Sequence, residues 1–231
     1  MMVKLSIITV VYNDRAGFIK TANSVAEQRS FYPNIEYIVI DGGSRDGTAD
    51  AIAEASSGID YWVSEPDKGI YDAMNKGIQA ATGSGLLFLN AGDYFVGDVL
   101  STFRTAPAFL PVKYIDILGR FRNRPIENPR TGISNCHQGI IFEAKAIEYD
   151  CSYDICADYK YFLEHGYDNK IIKLSSSGYV FFDAVGVSAQ RVYERDRQIF
   201  DIRRQHFGLA VALIYESLPF LKRCIRIILR K

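Results

Sequence analysis

Ile35-Glu-Tyr-Ile-Val-Ile-Asp-Gly-Gly-Ser-Arg-Asp-Gly-Thr48 reads as a buried strand that runs into a polar, glycine-rich turn and then into a helix. The apolar run 35–40 has strand length, and Asp46 or Thr48 can cap a helix that continues to about residue 55. The same order stands upstream, where residues 4–11 (KLSIITVV) form a β-branched run that ends at Tyr12-Asn13-Asp14. Asn13 or Asp14 can cap a helix through Gln28. Downstream come a short strand at 60–64, a helix at 70–81 and a buried strand at 85–89 (GLLFL). Strand and helix thus alternate with short loops, the pattern of a parallel α/β sheet. Such sheets bind ligands beyond the carboxyl ends of their strands. Those ends, residues 9–13, 41–48, 64–71 and 90–93, are the most polar places in the first half.

The alternation stops near residue 95. Residues 114–121 and 137–142 read as strands, 157–166 as a helix, 170–174 and 178–182 as a strand pair, and 191–206 as a charged helix. With 14 Phe, 15 Tyr and 23% charged residues, the 231-residue chain is ordered rather than disordered. Its formal net charge of zero gives no support to a uniformly basic nucleic-acid binder. The zero is a sum of opposites: residues 1–118 carry 9 Lys/Arg against 14 Asp/Glu, and residues 119–231 carry 18 against 13. The four cysteines (136, 151, 156, 224) are too few for a disulfide scaffold, and Cys151 and Cys156 lack the second pair of a usual zinc site, so they are expected to be reduced. No secretory leader precedes the first strand, and no apolar stretch of about 18 residues suggests a membrane span, so a cytoplasmic location is expected.

Two strand ends carry candidate chemistry. Asp41 can accept hydrogen bonds from a base or ribose, as acidic residues at strand ends do in dinucleotide folds, or it can simply serve a tight turn. The turn is no phosphate loop, because no Gly-Lys-Ser/Thr follows. Asp93, in Asn90-Ala-Gly-Asp93 after the buried strand, can bind a hard divalent cation or cap a helix.

Taken together, four stretches resemble the family 2 glycosyltransferases of the GT-A fold. They are Ser6-Ile-Ile-Thr-Val-Val-Tyr-Asn13, Ile40-Asp-Gly-Gly-Ser-Arg-Asp-Gly-Thr48, Ser64-Glu-Pro-Asp-Lys-Gly-Ile-Tyr-Asp-Ala-Met-Asn-Lys-Gly77 and Phe88-Leu-Asn-Ala-Gly-Asp93. The run 65–77 is especially similar to bacterial members that build polysaccharide and O-antigen repeat units. The resemblance implies a Rossmann-like, mostly parallel sheet flanked by helices over residues 1–207, with a nucleotide-sugar-binding half (1–95) and an acceptor half (96–207). It also implies that Thr9, Val10, Tyr12 and Asp41 hold the base and ribose of a nucleotide sugar, that Lys68 and Asp72 lie near the diphosphate or sugar, and that Asn75 fixes its helix. Asn90 and Asp93 fall in the family's Asp-x-Asp region, where Asp93 is assigned a Mg2+ or Mn2+ ion; Asn90 and Gly92 stand where many members have carboxylates.

In the same family an acidic residue at a helix start in the second half removes the acceptor's proton. Asp158, in Ile155-Cys-Ala-Asp-Tyr159, fits that role, with Asp154 as the alternative and a helix cap as the plainer reading. His137 matches a position bordering the acceptor cleft. Arg191 is singled out from arginines 191, 195, 197, 203 and 204 as a contact for the diphosphate.

Residues 208–231 combine apolar side chains with Lys222, Arg223, Arg226, Arg230 and Lys231 against the single Glu216, the composition of a basic amphipathic helix at an anionic lipid surface or packed on the domain. The expectation is an inverting glycosyltransferase that moves a sugar from a nucleoside-diphosphate sugar to a saccharide, carried on a polyprenyl diphosphate at the inner face of the cell membrane. The rival readings are a non-catalytic nucleotide-sugar-binding module and a sugar-phosphate nucleotidyltransferase. The latter would need a basic, glycine-rich loop where Tyr12-Asn13-Asp14 stands.

Overall fold

The computed structural model describes residues 2–115, 120–123, 137–145, 147–166, 172–182 and 191–215. At its centre β1 (Leu5–Val11) pairs in parallel with β2 (Ile35–Asp41) on one side and β4 (Gly85–Phe88) on the other. β3 (Tyr61–Ser64) lies parallel beyond β2. Helices α1 (Arg15–Gln28), α2 (Thr48–Glu54) and α3 (Ile70–Ala80) connect these strands, as the sequence pattern leads one to expect.

Every residue of β1 and β2 is buried, because both faces of the sheet are covered. Successive side chains alternate between the faces. Leu5, Ile7 and Val11 pack with Phe18 and Val25 of α1, while Ile8 and Val10 pack with Tyr71 and Met74 of α3. The second contact is close: a Cβ on Gly77 would stand 2.4 Å from the Cγ2 atom of Ile8.

Three strands from the second half extend the same sheet. They are β6 (Ala108–Phe109), β9 (Ile140–Glu143) and β10 (Ile172–Lys173), giving the order β10-β6-β9-β4-β1-β2-β3. β9 alone runs antiparallel to its neighbours, with Leu87 opposite Ile141. Its leading residues therefore emerge at the edge where the parallel strands end. A smaller sheet contains β5 (Tyr94–Val96), β11 (Tyr179–Phe182), β7 (Val112–Ile115) and β8 (Phe121–Asn123) in that order.

Several expectations need correction here. Residues 114–121 are not one strand: Ile115 pairs antiparallel with Phe121, so they bridge the ends of β7 and β8, with 116–119 outside the described residues. β10 and β11 do not pair with each other but sit in different sheets. Residues 137–139 form a 3-10 turn before β9 begins. Cys156 is buried and Cys151 exposed, both free, while Cys136 and Cys224 lie outside the described residues. Two further helices, α4 (Ala157–Glu164) and α5 (Val192–Phe207), cover the α3 side. Gly208, at φ 87°, ends α5, and helix resumes over 209–215. The rest of the tail is outside the described residues. No helix among the described residues is long and apolar enough to cross a membrane.

At the sheet edge away from the loops, the buried Glu36 carboxylate ties three segments together. It accepts from Lys4 (2.6 Å), Ser6 (2.5 Å) and both the amide (2.8 Å) and hydroxyl (2.5 Å) of Thr82. Burial raises its pKa, but the hydrogen bonds from Lys4, Ser6 and Thr82 outweigh it and bring the value down from 4.5 to about 2. A depressed folded-state pKa contributes stability above the unfolded value that disappears as pH falls through the folded one. Glu36→Gln should therefore flatten the loss of stability between pH 4.5 and about 2, measured by urea unfolding at a series of pH values. A variant with the same acid slope as the parent would show that Glu36 is not a source of it.

Candidate active site

Because β1 to β4 are parallel, their four following loops meet at one edge. Side chains sew these loops to one another. Asn13, in the left-handed region at φ 49°, gives its amide N–H to Ser44 Oγ (2.7 Å) and accepts from Arg45 N (2.8 Å). Asp14 caps α1 by accepting from Gly17 N at 2.9 Å. Asp46 accepts from the backbone and hydroxyl of Thr48 at the start of α2.

Asp41 is fully buried at the end of β2. Its carboxylate accepts from Ser44 N (3.0 Å), from the Ser44 hydroxyl and from Ser64 Oγ (2.5 Å), so it joins β2 to its own loop and to β3. Thr9 is also fully buried, donating to Leu89 O (2.8 Å) and accepting from the Tyr37 hydroxyl (3.2 Å). The Val10 side chain lies in the core, and its carbonyl receives Ala91 N (3.1 Å). All three side chains lie buried at the edge that the loops form, because both faces of the sheet are covered. Tyr12, one residue past β1, is 66% exposed and does face the edge.

The second and third loops touch at glycine. A Cβ on Gly42 would meet the Asp67 carboxylate at 2.4 Å and the Tyr12 ring at 3.2 Å. Asp67 was not singled out from the sequence, although its motif was. Asp72 accepts from Lys68 N (3.0 Å) and so folds the turn into α3, while the Lys68 side chain is exposed. Asn75 clamps the Tyr149 backbone in both directions, at 2.9 and 2.7 Å, the structural role expected of it.

The fourth loop is held from beneath by α1. The Thr21 hydroxyl donates to Asp93 O (2.7 Å) and accepts from Gly92 N (3.1 Å). One turn on, Ser24 receives Phe95 N (3.1 Å), and Gln28 bonds Gly97 O (2.7 Å) and Val99 N (3.1 Å). Thr21, Ser24 and Gln28 are buried polar residues at helical spacing among Phe18 and Val25, a pattern visible in the sequence and not used there.

Asp93 is 4% exposed and accepts from the Gln138 amide at 2.9 Å. Among the described residues no group of three or more His, Cys, Asp or Glu side chains could hold a metal ion. The donor at this loop suits a hard cation in kind, being an oxygen, and is too small in number to hold one alone. Asn90 turns its amide nitrogen to His137 Nε2 (3.4 Å), and its Oδ1 is buried without a partner.

From the second half, the start of α4 brings Asp158 to this edge. Its Oδ1 accepts from Tyr159 N (2.9 Å) and lies 3.3 Å from the Tyr71 hydroxyl, which also donates to Ile155 O (2.7 Å). Its Oδ2 faces His137 Nδ1 at 3.3 Å. Burial, with the Asp158 charge nearby, pushes the Tyr71 hydroxyl well above its usual range, so it acts as a donor. Asp154 is different: Gln198 (2.6 Å) and Arg191 (2.6 Å) both donate to it and hold its pKa down. Both of its oxygens are thus engaged by side chains of the C-terminal helix region. The same pairing places Arg191 against Asp154, and Arg203 is buried.

Residues 6–105 match the family model for glycosyl transferase family 2. An uncharacterised glycosyltransferase of Mycobacterium tuberculosis is 47% identical over 93 residues, 40% of this chain and 35% of that protein. The match thus spans about a third of that curated relative's length. The fold extends further. TarS of S. aureus, residues 1–349 in complex with UDP, superposes with a TM-score of 0.64 at 19% identity, over 95% of this chain and 71% of that one. The mannosyltransferase PcManGT of Pyrobaculum calidifontis, in complex with GDP-Man and Mn2+, gives 0.61 at 14% identity, over 93% and 74%. The chain therefore has the GT-A fold expected from its motifs.

Proposed function

We propose that this chain, whose residues 6–105 match the model for glycosyl transferase family 2, transfers a glycosyl group from a nucleoside-diphosphate sugar to a saccharide hydroxyl with inversion. The observation that carries the reading is Asp158, a carboxylate with 17% side-chain exposure brought to the loop edge of the sheet while its neighbour Asp154 is occupied. The acceptor oxygen bonds to the anomeric carbon as the bond from that carbon to the diphosphate oxygen breaks. The electron pair leaves with the diphosphate, and the hydroxyl proton passes to Asp158. No covalent sugar–enzyme intermediate is required.

Tyr12, the backbone around Gly42 and Gly43, and Lys68 present the groups available to the nucleotide and its diphosphate. Thr9, Val10, Asp41, Asp72 and Asn90 hold these elements in place. Asp93 would hold a Mg2+ or Mn2+ ion that brings most of its ligands from the diphosphate; such an ion supplies charge neutralisation for the departing group. UDP and GDP-Man bound to the two similar structures support a nucleotide-sugar donor. Residues 1–207 are proposed as the transferase unit and 208–231 as a tail that rests on anionic lipid, next to a polyprenyl-diphosphate-linked acceptor of surface polysaccharide biosynthesis. Leu209, Leu213 and Ile214, each more than half exposed, support the tail assignment.

Asp158→Asn should keep thermal stabilisation by UDP or GDP while nucleotide release from sugar nucleotides falls by about 100-fold or more. Unchanged release would rule Asp158 out as the base, and no release by the parent protein from any sugar nucleotide would favour a binding module. Calorimetric titration with Mn2+ alone should show no saturable site, and binding should appear once UDP is present and vanish in Asp93→Ala. Tight binding of Mn2+ without nucleotide would contradict the shared coordination. Removal of residues 208–231 should abolish co-sedimentation with vesicles containing anionic phospholipid; equal sedimentation of both forms would place the tail against the protein instead.

A further inference from the structure

Asn90, His137 and Asp158 come from three separate parts of the chain and form one hydrogen-bonded line. Asn90 follows β4, His137 opens the turn before the antiparallel β9, and Asp158 lies in the first turn of α4. The Asn90 amide nitrogen is 3.4 Å from His137 Nε2, and His137 Nδ1 is 3.3 Å from Asp158 Oδ2. Both ends of the ring are therefore occupied. The His137 and Asp158 side chains keep only 12% and 17% of their surface exposed, and the imidazole stands edge-on to Phe88, with ring centroids 6.3 Å apart.

The chemistry of the two ends assigns the proton on the ring. An amide NH2 group can only donate, so Nε2 must accept. A neutral imidazole that accepts at Nε2 carries its hydrogen on Nδ1, and that hydrogen points to the carboxylate. Asp158 is then fixed at both oxygens, Oδ1 by the Tyr159 N–H and Oδ2 by His137. A carboxylate oxygen has a second lone pair, so Oδ2 can still take a proton from an acceptor hydroxyl.

Resting on the reading of Asp158 as the base, we propose that His137 is a positioning residue that holds Asp158 in its proton-accepting orientation, and that Asn90 sets the His137 tautomer. Asn90 thus serves the proton-accepting carboxylate and not the diphosphate. Its buried Oδ1 lacks a partner because its NH2 group is aimed at the ring.

Two measurements test this. The chain has three histidines, so long-range proton–nitrogen correlation spectra can be assigned by comparison with a His137→Gln sample. With neutral imidazole, the parent protein should show His137 with hydrogen on Nδ1, and Asn90→Ala should shift the population toward Nε2–H. An Nε2–H ring in the parent overturns the proposal whether or not the protein turns over. The second measurement is nucleotide release from UDP-GlcNAc and GDP-mannose. His137→Ala should lower kcat about 10-fold or more with KM for the donor unchanged, and His137→Asn, which restores a donor near Nδ1, should recover part of it. In an Asp158→Asn background His137→Ala should cost nothing further. A full additional loss there would show that His137 acts independently of Asp158 and would sink the proposal. Absence of turnover in the parent would instead count against the transferase reading, leaving the tautomer to decide this one.

Discussion

Parallel pairing of β1 with strands on both of its sides is the constraint on which the rest of this molecule depends. A strand hydrogen-bonded on both edges and covered on both faces has no room for exposed chemistry along its length. Polar function must then lie beyond its carboxyl end, and parallel order sends β2, β3 and β4 to the same edge. The antiparallel β9 completes the arrangement, since only a reversed strand delivers its leading residues, His137 and Gln138, to that edge.

Loops gathered in this way must have their backbone groups satisfied, and the chain does so with short polar side chains on rigid elements. Thr21, Ser24 and Gln28 lie along the inner face of α1 and meet successive backbone groups from Gly92 to Val99. A helix face that carried only apolar residues would leave those groups buried without partners, at about 1–3 kcal/mol each. Several carboxylates work likewise. Asp41 and Asp72 each accept from backbone or side-chain donors of neighbouring segments, so the acidic surplus of the first half is partly scaffold.

The strands and helices up to residue 95 were legible because their periodicity and turn residues agree at each step. The smaller sheet was less so. β5 is three residues long, too short for a period to register, and its partner β11 lies far along the chain. At the site, motif residues located the loops correctly, but a motif does not reveal which atoms a residue spends on its neighbours. Thr9 and Asp41 sit in the expected places with their side chains turned into the protein. Gln138 and Tyr71 carry no local signal, because their importance comes from contacts across 45 and 87 residues.

The fourth loop shows how local geometry shapes its chemistry. Asp93 N donates to Asn90 O at 3.0 Å, closing a turn whose third residue, Gly92, has φ 93°. That conformation favours glycine over any residue with a Cβ. A side chain placed there would also start 3.9 Å from the Asp14 carboxylate, which is held by its role as the cap of α1. A second acid at this position would thus face both backbone strain and like charge. The single carboxylate at Asp93 follows from the turn, and it leaves Asn90 available for His137.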